Sequence, residues 1–191
     1  DSAAAFLKNI TSKAHLAGTP GDFWTAMYVK EQMESFGLNV TLPAFEVLLS
    51  YPVERSLKAL PPFEFQASLQ EKIFAKQDPQ LLDPLLTATY NGYSPSGTVS
   101  GEVVFANYGS SEDFALLKNQ SVSLVGKIAL VKYGMIYRGD KVANAHAAGA
   151  VGCLIYNDPK DYQAKDHGKV YPFASDLPMD GVQRGSTFEG F

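Results

Sequence analysis

Apolar positions in the first third of the chain follow a helical period. Ala26, Val29, Met33 and Phe36 recur at i, i+3, i+7 and i+10, the stripe of an amphipathic helix. Thr19-Pro20-Gly21-Asp22 opens that helix, with Thr as N-cap, Pro at the first helical position and Asp three residues after the cap. Gly37 closes it. Leu38 to Leu42 and Phe45 to Tyr51 predict strands, so residues 1–50 read helix, helix, strand, strand. The pattern then breaks down. Six of the eleven prolines fall between residues 51 and 97, which predicts edge strands and ordered loops and places a boundary near Tyr51-Pro52.

Regularity returns from residue 98. Val99 to Asn107 predicts a strand, and Ser110-Ser111-Glu112-Asp113 a capped helix running through Asn119. Lys127 to Tyr133 predicts a buried strand, Asp140 to Ala148 a helix of small residues closed by Gly149, and Val151 to Tyr156 a further strand. Strands alternating with helices predict an α/β unit. Residues 159–191 are turn-rich, with no closing element, which predicts a domain continuing past Phe191.

Composition adds limits. With 46% apolar and 12% aromatic residues, 191 residues can bury a real core. A net charge of −4 argues against nucleic acid or an anionic membrane as the main partner. Cys153 stands alone in an apolar run, so it forms no internal disulfide and reads as a small buried hydrophobe. Asn9-Ile-Thr11, Asn39-Val-Thr41 and Asn119-Gln-Ser121 are glycosylation sequons, making Asn9, Asn39 and Asn119 candidate acceptors and leaning the protein toward a secretory route. No run of 18 apolar residues occurs. The chain starts at Asp1, and the expectation is an upstream targeting or membrane-anchoring segment.

Candidate chemistry is sparse. Gly134-Met-Ile-Tyr-Arg-Gly139 has the spacing of a phosphate loop, but Asp140 stands where the lysine belongs, and an aspartate is electrostatically wrong for a phosphate cradle. Arg138-Gly139-Asp140 matches the adhesion tripeptide, yet it sits between a strand and a helix rather than on a loop tip. His15, His146 and His167 are far apart, and Asp176 and Asp180 are separated by Pro178, so no metal site is assigned. No nucleophile elbow marks a catalytic serine, and no catalytic residue is assigned. What remains is Tyr137-Arg138-Gly139-Asp140-Lys141, whose arginine offers a planar, permanent cation to a carboxylate.

A series of motifs frames that stretch. His15-Leu-Ala-Gly-Thr19, Val47-Leu-Leu-Ser-Tyr-Pro52, Tyr93-Ser-Pro-Ser-Gly97 and Gly101-Glu-Val-Val-Phe-Ala-Asn-Tyr108 come in order. They are followed by Gly126-Lys-Ile-Ala-Leu-Val-Lys-Tyr-Gly134, Tyr137-Arg-Gly-Asp-Lys-Val-Ala-Asn144, Ala148-Gly-Ala-Val-Gly-Cys-Leu-Ile-Tyr156 and Gly181-Val-Gln-Arg-Gly185. Together they resemble glutamate carboxypeptidase II and its relatives, the N-acetylated α-linked acidic dipeptidase branch of the M28 zinc metallopeptidases. The resemblance runs from about Lys8 to Gly185 and is weakest between Pro52 and Thr89.

The resemblance implies an α/β fold: residues 1–50 open a zinc-peptidase domain, and residues 51–191 form a truncated protease-associated (PA, apical) domain of mixed β-structure with flanking helices. It implies two zinc ions whose ligands lie beyond Phe191, as does the general-base glutamate, so this stretch alone is expected to be inactive. It implies that Arg138 grips the free C-terminal carboxylate of a small peptide, that Tyr137 lines the same pocket, and that Asp140 stands where relatives often carry Asn and can pair with Arg138. A homodimer is expected of the full-length hydrolase, as an extracellular or cell-surface glycoprotein or, alternatively, in the lysosome, vacuole or ER lumen. The other reading is a non-catalytic scaffold, either transferrin receptor-like or a protein-binding PA module. Arg138-Gly139 favours the peptidase.

Overall fold

The computed structural model describes residues 2–74, 88–162, 169–174 and 176–188. They fall into two units, one of residues 2–66 with Ala88 and one of residues 67–74 with 89 onward.

In the first unit, α1 (Ser2–Ile10) precedes α2 (Pro20–Ser35). The α2 entry follows the sequence reading. The Thr19 side chain accepts from the Asp22 amide, Pro20 occupies the first turn, and Asp22 reaches back to the Gly18 amide at 2.9 Å. Its stripe is only partly covered: Ala26 and Val29 are half-buried, whereas Met33 and Phe36 are 42% and 65% exposed. On its surface Trp24 stacks on Tyr28, one turn further along the helix, and the Lys13 ammonium lies over the Trp24 ring at 4.0 Å.

The two strands expected between Leu38 and Tyr51 do not form among the described residues; the unit's only strands are β1 (Lys58–Ala59) and β2 (Phe65–Gln66), an antiparallel pair. Val47 and Leu48 are 64% and 82% exposed. A strand needs a ladder partner as well as an apolar pattern, and no described segment pairs with 38–51 as a strand.

The second unit holds a three-stranded parallel sheet. β4 (Val103–Phe105), β5 (Ile128–Lys132) and β6 (Gly152–Tyr156) lie in that order, with Val103 opposite Ile128 and Ile128 opposite Gly152. α3 (Ser111–Asn119) and α4 (Arg138–Ala147) make the two crossovers, giving a βαβαβ unit. α3 carries the full capping box, Ser110 and Asp113 each serving the other's backbone amide. The expected strand over 99–107 shrinks to three residues. α4 begins at Arg138, two residues before the expected start, so Arg138 belongs to the helix's first turn. Gly149, at φ +89°, ends that helix in the left-handed conformation glycine tolerates.

Burial alternates along the central strand as the pleat requires: Ala129 and Val131 are fully buried while Ile128, Leu130 and Lys132 are partly exposed. The buried pair joins Ala106, Phe114, Leu124 and Ala145 in one core, where small residues at 129 and 145 fit the helix layer close to the sheet. Beyond the sheet, β3 (Asn91–Gly92) pairs in parallel with β7 (Gly185–Ser186), and a single turn, α5 (Pro159–Tyr162), follows β6.

Cys153 packs against this core, and burial pushes its thiol up to about 11, with Lys141 opposing the shift. An ordinary unfolded thiol ionises near 8.5. The folded state therefore holds the proton more tightly, and stability falls as pH rises from about 9 toward 11. We expect iodoacetamide at pH 8 to label the folded protein far more slowly than the urea-unfolded one. We also expect Cys153→Ala to flatten the alkaline decline in stability measured by urea titration.

Candidate substrate-binding site

The loop between β5 and α4 delivers Tyr137 and Arg138. Gly134 (φ +95°) and Met135 (φ +68°) turn the chain through the left-handed region, which a methionine adopts only where its surroundings dictate it. One such constraint is Lys141, whose side chain is fully buried. Its Nζ donates to the Gly134 carbonyl at 2.7 Å and to the Tyr108 carbonyl at 2.5 Å. Asn144, one turn further along α4, donates to the Gly109 carbonyl at 3.0 Å. Residues 141 and 144 thus share a helix face that clamps the turns after β4 and β5. Burial lowers the Lys141 pKa, opposed by Asp113, Cys153 and Asp140.

Tyr137 is the α4 N-cap residue and makes no side-chain cap. Its ring folds back over Gly139, where a Cβ would stand 2.5 Å from the ring edge and 3.1 Å from the Thr187 carbonyl. The phenol donates to the Ser186 carbonyl at 2.8 Å and approaches that of Phe188 at 3.1 Å, fastening β7 to the helix start.

Arg138 lies between aromatic rings. Its Cζ is 5.5 Å from the Tyr137 ring centroid and 5.9 Å from that of Tyr133. Nη1 makes one long hydrogen bond, 3.5 Å, to the Ser186 carbonyl. Nε is buried and has no hydrogen-bond partner among the described residues. Tyr133 is itself buried, with its hydroxyl donated to Asn91 Oδ1 at 3.0 Å. Burial raises its pKa, countered by Asn91 and by the adjacent guanidinium.

The expected pairing of Asp140 with Arg138 is not formed: no ion pair joins them among the described residues, and Asp140 is exposed in the first turn of α4, where its charge complements the helix dipole. Lys132 makes the contrast. Its ammonium lies 3.3 Å from Asp161, 3.5 Å from Asp158 and 3.1 Å from the Tyr108 hydroxyl. That network, led by the Tyr108 hydrogen bond, raises its pKa. Lys132 is thus satisfied within the fold, while Arg138 keeps a buried Nε without a hydrogen-bond partner and has no ion pair among the described residues.

Of the other residues singled out in the sequence, His15 is anchored to the Lys13 carbonyl at 2.7 Å and His146 is exposed at the end of α4. His167 lies outside the described residues. Among the described residues no three His, Cys, Asp or Glu side chains are placed to hold a metal ion. Asn39 and Asn119 are exposed; Asn9 is exposed too, its amide donating to the Tyr28 hydroxyl at 2.9 Å. No helix among the described residues is long and apolar enough to cross a membrane. The sequence reading missed the supporting roles of Tyr133, Lys141 and Gly185; the trace was that all three stand within the motifs that carry the family resemblance.

The PA domain profile matches residues 99–188, the stretch that contains the parallel sheet, α4 and β7. The chain is 38% identical, over 99% of its length, to a probable glutamate carboxypeptidase of Arabidopsis thaliana, LAMP1, of which it covers 28%. It is a PA-domain relative of the glutamate carboxypeptidases. A glutamate carboxypeptidase 2 homolog of Caenorhabditis briggsae is 36% identical over 97% of the chain, and the mouse aminopeptidase NAALADL1 32% over 97%; the chain covers 25% and 26% of them. It thus spans about a quarter of the length of these relatives. An aminopeptidase from Aneurinibacillus sp. strain AM-1 shares the fold, with a TM-score of 0.55 and 23% identity over 96% of this chain and 33% of that one. The PA domain is therefore the α/β unit in which Arg138 and Tyr137 are held.

Replacing Lys141 with Met removes the donor from two carbonyls in a closed interior. The Gly134 carbonyl keeps the Ile136 amide at 2.9 Å, so the loss falls on the Tyr108 carbonyl. At about 1–3 kcal/mol for an unsatisfied group, Lys141→Met is expected to lower unfolding stability by about 1–3 kcal/mol. A denaturant titration that finds it unchanged would show that the clamp is dispensable.

Proposed function

We propose that this chain is the N-terminal and PA-domain portion of a zinc-dependent exopeptidase of the glutamate carboxypeptidase type, and that Arg138 receives the C-terminal carboxylate of a small peptide. The observation that carries the reading is the guanidinium itself. It is immobilised by two tyrosine rings and the β7 backbone, its Nε is buried without a partner, and no ion pair neutralises it among the described residues. A cation held in this way gains most from a ligand that brings both a negative charge and paired acceptors, and a carboxylate supplies both. Only a chain end carries such a group at a fixed distance from the last peptide bond, so the same contact selects an exopeptidase substrate and positions it. In this reading Tyr137 lines the same site, its hydroxyl committed to β7 and its ring against the Arg138 guanidinium.

The described residues do not form a zinc site, so zinc ligands are not assigned to this chain and no step through the ion is derived from it. In this reading two zinc ions and the general base belong to the rest of a full-length enzyme, which acts as a homodimer in the secretory pathway. The exposed Asn9, Asn39 and Asn119 then carry glycans, and treating the secreted protein with an N-glycosidase lowers its mass.

Arg138→Ala in the full-length enzyme is expected to raise KM for peptides with a free C-terminus by about 30- to 1000-fold, equivalent to about 2–4 kcal/mol of lost charge-assisted hydrogen bonding. The change in kcat is smaller. C-terminally amidated peptides, already poor substrates, lose little more. Steady-state kinetics on the matched pair checks this, and equal loss on both peptides would remove Arg138 from carboxylate recognition.

A further inference from the structure

The guanidinium of Arg138 lies directly against the backbone of β7 at Gly185. A Cβ built on Gly185 would stand 2.5 Å from Arg138 Nη1 and 2.7 Å from Nε, well inside any van der Waals separation. Gly185 is not in the left-handed region, so its backbone conformation does not itself demand glycine. Space for the arginine does.

The strand cannot move aside to make that space. Its register is set by pairing with β3, Asn91 opposite Gly185 and Gly92 opposite Ser186, and the Gly92 carbonyl accepts from both the amide and the hydroxyl of Thr187, at 3.0 and 3.1 Å. Upstream, Arg184 pairs with Glu71, whose other oxygen accepts from the Val182 amide at 2.6 Å, and Asp180 accepts from the Lys72 amide, also at 2.6 Å. Downstream, Tyr137 grips Ser186. A methyl group at 185 would therefore meet a hydrogen-bonded strand on one side and the far end of a long side chain on the other, and the arginine would be the part to yield.

We propose that Gly185 is a positioning residue: its missing side chain sets the depth and direction of the Arg138 guanidinium, and so the selectivity of the site for a free terminal carboxylate. This rests on the reading of Arg138 given above. A displacement of the head group of about 1 Å is enough to reduce productive binding by about 10- to 100-fold. Gly185 touches no substrate; it acts through Arg138.

The test is a double-mutant cycle in the full-length enzyme with Gly185→Ala, Arg138→Ala and both together, and Gly92→Ala as a ladder control. A Cβ at Gly92 would find only ordinary distances, 3.6 Å to the Gly185 carbonyl and 3.9 Å to Ser186 Cα. The kinetic readout is the ratio of kcat/KM for a dipeptide with a free C-terminus to that for its amide. Gly185→Ala is expected to cut the ratio about 10- to 100-fold, mainly through KM, to add nothing once Arg138 is gone, and Gly92→Ala to leave it intact. An unchanged ratio in Gly185→Ala, or a full additional loss in the double variant, overturns the role of Gly185 and leaves that of Arg138 standing. An unchanged ratio in Arg138→Ala overturns the carboxylate reading instead. Thermal melting separates the packing claim from both: Arg138→Ala should restore any Tm lost in Gly185→Ala, and failure to restore it refutes the steric argument even if the single variant folds poorly.

Discussion

One buried ammonium organises this site. Lys141 reaches from α4 into the space under the turns that follow β4 and β5, and its hydrogen bonds to the Tyr108 and Gly134 carbonyls hold those turns together. A charge in such a place is costly unless its hydrogen bonds are made, and here oriented carbonyl dipoles make them, with Asp113 and Asp140 contributing favourable fields. An apolar side chain of similar length would fill the volume but offer the carbonyls no donor. The left-handed residues Gly134 and Met135 sit in the clamped loop, and the direction in which the chain enters α4 follows from their path.

That entry direction decides what Arg138 can do. As the first residue of α4 it projects beside β7 rather than into solvent, between the rings of Tyr133 and Tyr137. Confinement of this kind removes rotamers before any ligand arrives, so less entropy is lost on binding. The neighbouring charges are arranged consistently. Lys132 and Arg184 are each matched by carboxylates, while Asp140 turns to the helix end instead of toward Arg138. Arg138, at the helix start, has no ion pair among the described residues.

Much of the second unit was legible in the sequence. Ser110 and Asp113 announced α3 because a capping box is a local arrangement, complete within four residues. The apolar run within Lys127 to Tyr133 and the small residues before Gly149 located β5 and α4, again through local pattern. The strands read between Leu38 and Tyr51 failed for the converse reason: apolar pattern is local, but a ladder needs a partner that no short window contains. The start of α4 was misplaced by two residues because Tyr137 caps it without a side-chain hydrogen bond, leaving no Ser, Thr, Asp or Asn to mark the boundary.

The residue types alone determined that this chain carries a capped βαβ pattern and a permanently charged arginine beside it, since periodicity, caps and the charge of a guanidinium are properties of the covalent chain. They also carried the family likeness. Only the tertiary structure decided that Arg138 has no ion pair among the described residues, that Asp140 does not pair with it, and that Gly185, 47 residues further on, supplies the surface it rests against. Those outcomes depend on which backbone segments are brought within a few ångströms of one another. That is fixed by the pairing of β3 with β7 and by the Lys141 clamp, neither of which is written at any one place in the chain.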